Sequence, residues 1–88
     1  MSMLVATMGV NNRIAESKSF AEHVIEAMSK FSSKDWGDVC DEDSQMNDEA
    51  VINKTRVLAS YGEGDDKIWI IKDAGKGAPV TILFPDEY

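Results

Sequence analysis

The sequence predicts an α+β fold in the order β-α-α-β-β-β, an antiparallel three- to four-stranded sheet with helices packed on one face. Three observations carry this. Apolar side chains between residues 19 and 31 recur at helical spacing, and the last third switches to β-branched and aromatic runs separated by Gly- and Asp-rich turns. No linker, repeat or low-complexity tract divides the 88 residues, which points to one domain over 1–88. A domain this small buries about 60–65% of the surface of its unfolded chain, a thin core that a homodimer contact would strengthen.

Leu4-Val5-Ala6-Thr7-Met8 is a short apolar run ended by Gly9 and is read as a first strand, with Asn11-Asn12 as a turn. A helix follows from about Ser19, an N-cap with Glu22 at capping-box spacing. Phe20, Val24, Ala27, Met28 and Phe31 form its apolar stripe, and Glu22, Glu26, Ser29 and Lys30 its polar side. Residues 32–38 break the pattern as a loop. A second helix is expected from about Val39 to Ile52, capped by Asp38, with a sparse apolar face of Val39, Met46, Ala50 and Ile52. Asp41, Glu42 and Asp43 lie in its first turns, where the helix dipole favours negative charge. Thr55 to Tyr61, Lys67 to Lys72 and Val80 to Phe84 then form a meander closed by two short loops.

Side chains alternate across a strand, so the meander divides into two faces. Val57, Ala59, Tyr61, Ile68, Ile70, Val80, Ile82 and Phe84 fall on one, and Leu58, Trp69, Ile71 and Leu83 on the other. Two helices cover only one face. Leu58, Trp69, Ile71 and Leu83 are therefore a candidate oligomer or partner interface, since apolar patches of this kind mark contact sites. The alternative is that the N-terminal segment or the acidic loop folds over them, with Trp36 filling the gap.

Sixteen acidic side chains against nine basic ones give a formal net charge of −7. Seven of the acids, Asp35, Asp38, Asp41, Glu42, Asp43, Asp48 and Glu49, lie in one fifteen-residue segment without a Lys or Arg. The rest of the chain is formally neutral. This segment is a candidate partner-binding surface, able to steer a cationic partner within a screening length of about 8–10 Å. The same acidity argues against direct contact with nucleic acid, where basic patches supply the affinity. The apolar runs are too short for a bilayer and no signal-peptide pattern opens the chain, so a cytoplasmic protein without a membrane partner is expected.

Chemistry finds little purchase. One Cys and one His exclude a disulfide framework and a four-ligand Cys/His zinc site, and no cofactor motif is present. The carboxylates of residues 35–43 lack the order of an EF-hand loop and lie in a solvated run rather than a cleft. Cys40 and His23 have no spacing that selects a nucleophile–base pair. Gly75-Lys76-Gly77 lacks the phosphate-loop pattern and is read as a hairpin loop. Terminal Tyr88 is expected to pack back on the domain. No catalytic residue is assigned, and an enzyme is not expected.

Asp35-Trp36-Gly37-Asp38, Asp41-Glu42-Asp43 and Asn47-Asp48, followed by Arg56-Val57-Leu58-Ala59-Ser60-Tyr61, Lys67-Ile68-Trp69-Ile70-Ile71 and the stretch from Thr81 to Tyr88, together resemble a family of short bacterial proteins carried on plasmids, prophages and integrated elements. The resemblance covers about the last 55 residues well and the first 30 in outline. It departs at Lys72-Asp73-Ala74-Gly75-Lys76-Gly77, where that family tends to carry a Thr-Glu-Ala-Asp-Arg-like stretch. The resemblance implies a mobile-element setting and brings no catalytic residues. With the acidity, it leads to the expectation of a phage- or plasmid-borne accessory factor that binds a protein. One form is an anti-defence inhibitor, of the anti-CRISPR or anti-restriction kind, whose acidic surface occupies a basic groove built for nucleic acid. The alternative is a regulatory partner subunit acting through the apolar sheet face.

Overall fold

The computed structural model describes residues 4–75 and 77–88, so the reading of Lys76 within a hairpin loop lies outside the described residues. In chain order the elements are β1 (Leu4–Ala6), α1 (Met8–Glu16), α2 (Lys18–Ser32), α3 (Asp41–Asn53), β2 (Val57–Tyr61), β3 (Ile68–Lys72) and β4 (Val80–Leu83). A 3-10 turn, Gly64–Asp66, joins β2 to β3, and another, Pro85–Glu87, follows β4. The fold is α+β, with three α-helices among the described residues rather than two.

The additional helix begins where the chain supplies a cap. The Thr7 hydroxyl accepts a hydrogen bond from the Val10 N–H and ends β1. Asn11, expected in a turn, sits inside the first turn of α1 and donates its side-chain amide to the Ala6 carbonyl at 3.2 Å. Ser17 closes α1 and caps α2, its hydroxyl accepting from the Phe20 N–H, so the cap lies two residues before the expected Ser19. The α2 stripe is as expected. Phe20, Val24 and Ala27 are buried, Met28 and Phe31 pack against them, and the charged side faces water.

Strand order is β1-β4-β3-β2. β2, β3 and β4 form the antiparallel meander, with Ala59 opposite Ile70 and Ile70 opposite Ile82. β1 instead lies parallel to β4, which makes the sheet mixed. A parallel neighbour requires a long crossover, and the helices together with β2 and β3 intervene between these two strands. The buried helix side chains form one core with Val57, Ala59, Tyr61, Ile68, Ile70 and Ile82. Trp36 belongs to this helix-side core rather than to the opposite face, packed edge-on against Phe31 with ring centroids 5.3 Å apart.

Candidate functional site

β2 is an edge strand, and an open edge invites pairing with other chains. The acidic segment closes it. Ser60 donates its N–H to the Trp36 carbonyl and accepts from the Asp38 N–H at 2.7 Å, so residues 36–38 form a short bridge along β2. Two residues earlier, the Asn47 side chain does what a neighbouring strand would do. Its amide donates to the Leu58 carbonyl at 2.8 Å and its carbonyl accepts from the Leu58 N–H at 3.3 Å. Asn47 is consequently buried, and with Ala50 it forms the inward face of α3. The expected apolar face is corrected here: Met46 and Ile52 point to solvent. The helix is registered on the strand by hydrogen bonds rather than by an apolar stripe.

Three of the seven acids hold this arrangement together. The Asp35 carboxylate accepts from the Gly37 N–H, while its backbone carbonyl accepts from the Tyr61 hydroxyl at 2.7 Å. The Asp38 carboxylate accepts from the Gly62 N–H at 2.9 Å, which is why it does not cap α3; Cys40 occupies that position and makes no side-chain cap bond. Asp48 accepts from the Trp36 indole N–H at 2.9 Å. Burial, and then the negative charge of Asp35, push the Tyr61 phenol well above its ordinary pKa.

The other four acids have no such work. Among the described residues Asp41, Glu42, Asp43 and Glu49 make no side-chain hydrogen bond or ion pair, and all four are exposed on α3. Between α3 and β2 runs a groove of about 380 Å³. Asp43 and Arg56 border it, and Val39, Met46 and Leu58 give it an apolar lining. Met46 is 59% exposed, and with Val39 and Leu58 it gives the groove contiguous rather than scattered apolar surface. Val39, Met46 and Arg56 lie outside the site residues expected from the sequence; Met46 and Val39, which precedes α3, belong to the apolar face expected of that helix, and Arg56 carries no such signal.

The second sheet face behaves differently from its expected open patch. Ile71 and Leu83 are each only 5% exposed, and Leu58 and Trp69 are half-buried. Tyr88 does pack back, its ring edge-on to Trp69 at 5.6 Å, and the Arg56 guanidinium lies 5.1 Å over the Tyr88 ring. The surface left on this face is therefore the Trp69–Tyr88–Arg56 stack, with Tyr88 67% exposed. Because Leu58 and Arg56 also line the groove beside α3, the acidic surface and the sheet face adjoin.

Cys40 is exposed at the start of α3, and His23 of α2 places Nε2 at 3.0 Å from the Asp66 carbonyl, so that nitrogen is a donor. Among the described residues no group of three or more His, Cys, Asp or Glu side chains converges as a metal site would require. None of the described helices is long and apolar enough to cross a membrane. No family model matches the chain, and no curated protein or solved structure is significantly similar to it.

Proposed function

We propose that this chain is a non-catalytic protein-binding factor that presents α3 to a basic surface of another protein. One observation carries the reading: Asp41, Glu42, Asp43 and Glu49 are exposed on α3 with no side-chain partner among the described residues, and Asp43 borders an apolar groove beside the exposed Met46. Free acids give long-range attraction to a cationic partner, and the groove gives a desolvated seat for one of its apolar side chains. Asp35, Asp38 and Asp48 shape the surface from within. In the mobile-element setting that the sequence resemblance implies, the partner is a nucleic-acid-binding protein of host defence, with α3 seated where phosphates otherwise lie.

A second reading is favoured by the Trp69–Tyr88–Arg56 stack, since these three residue types dominate the energetics of protein interfaces. It makes the chain a partner subunit or homodimer acting through the sheet face.

Affinity capture from a bacterial host separates the two. The first reading expects the triple variant Asp41→Lys, Glu42→Lys, Asp43→Lys to lose a basic partner that Trp69→Ala retains. It also expects an oligonucleotide to displace that partner. Retention by the triple variant with loss in Trp69→Ala supports the sheet face and overturns α3.

A further inference from the structure

A second concavity lies at the other end of the helix-side core, away from the acidic helix face. The strand registers place Leu4, Val80, Lys72 and Val57 in one cross-strand row on the helix-facing side of the sheet. Lys72 is out of character there. It is a cation on the apolar face of a central strand, half-buried between Val80 and Val57. A charge in such a position is ordinarily paired. Among the described residues no carboxylate forms an ion pair with it, although the chain has an excess of acids.

Above this row, α2 and α3 part and leave a cleft of about 340 Å³. Met28 and Phe31 wall it from α2, Val51 from α3, and Trp36 and Ile70 form its interior. Among the described residues, two of those lining it are charged, Lys72 on the floor and Lys34 at the mouth, and both are cationic. A cleft of this size with apolar walls and a few convergent polar groups is the ordinary form of a small-molecule site.

We propose that the cleft binds an alkyl monoanion of the fatty-acid class. Its hydrocarbon body lies between Met28, Phe31, Val51 and Ile70, and its carboxylate meets the Lys72 ammonium, with Lys34 closing the mouth. The apolar walls supply affinity and the unpaired lysine selects for a negative head group. A neutral alcohol of equal chain length leaves Lys72 unpaired, and an alkyl cation is repelled.

The test uses the full chain carrying Trp69→Phe, so that Trp36 in the cleft is the sole tryptophan reporter. Decanoate, below its micelle concentration, is expected to give a saturable change in Trp36 emission. Decanol and decyltrimethylammonium should bind about tenfold more weakly or worse. Lys72→Met should weaken decanoate by a similar factor and leave decanol bound at least as well as before; Lys72→Gln serves as a second variant if the first fails to fold. Amide shifts on decanoate binding should centre on Val51 and Ile70 and spare residue 69. Equal affinity for decanoate and decanol, unaltered decanoate binding in a folded Lys72 variant, or no saturable response would overturn the proposal. A second copy of the chain closing the cleft gives the last of these results.

Discussion

Gly37 shows how tightly the acidic loop is fitted to the sheet. Its φ of +75° lies in the left-handed region, and an added Cβ would collide with the Ser60 carbonyl oxygen and the Tyr61 ring. Both effects oppose any side chain, so Gly37→Ala should cost on the order of 3 kcal/mol, read from denaturant midpoints. A fully stable alanine variant would mean that residues 36–38 do not bridge to β2. Tyr61 gives an independent check on the same contact. Its folded pKa is raised, so its contribution to stability is complete below the ordinary tyrosine pKa of about 10 and is lost as pH rises beyond it. Absorbance titration should show a phenol that does not ionise in the folded protein near that pH. Tyr61→Phe should remove the late step and the matching alkaline loss of stability.

At the scale of elements, α3 is the piece whose existence was legible and whose purpose was not. Its start was expected at about Val39 with Asp38 as cap and falls two residues later, at Asp41, and Met46 and Ile52 suggested an inward apolar face that the structure turns outward. The residue that docks the helix, Asn47, carries no hydrophobic signal; it works by imitating a peptide group at the edge of β2. Replacing it with alanine leaves the Leu58 N–H and carbonyl without their partners, an expected loss of about 1–3 kcal/mol. Hydrogen exchange should quicken at Leu58, and concentration-dependent association should appear as the edge opens. Slow exchange at Leu58 in Asn47→Ala would contradict this role. The four strands and the α2 stripe were readable within a residue or two because alternation and helical spacing are local patterns. The α1 helix was missed because Asn11-Asn12 resembles a turn, whereas Asn11 here bonds back to Ala6. The parallel pairing of β1 with β4 joins segments far apart in sequence and leaves no local trace.

Across the whole molecule, the two ends of the described chain are tied together. The Glu87 carboxylate accepts from the Thr7 hydroxyl at 2.7 Å and from the Phe84 N–H at 2.8 Å, at the point where β1 passes into α1. Desolvation opposes its ionisation, but the hydrogen bonds from Phe84, Thr7 and Gly9 prevail and hold its pKa below the ordinary glutamate value. The stability it contributes is present above about pH 4.3 and is lost as pH falls through the lower folded value. Glu87→Gln should therefore flatten the acid limb of the stability profile, and an unchanged acid limb would remove Glu87 from the clasp. The candidate site was half legible at this scale. All seven acids were visible as a cluster, but only the fold separates Asp35, Asp38 and Asp48, which bind the loop to the sheet, from Asp41, Glu42, Asp43 and Glu49, which face outward. The fold also brings the acidic helix beside Leu58 and Arg56 of the sheet. Cys40, the only cysteine and exposed at the start of α3, is placed to report on contact there. A photo-crosslinker attached to it and irradiated in host extract captures a partner that docks on α3. If α3 docks on a basic surface, a basic protein crosslinks and the product disappears at high salt and in the Asp41→Lys, Glu42→Lys, Asp43→Lys variant; the same product persisting in both would mean that α3 is not the docking surface.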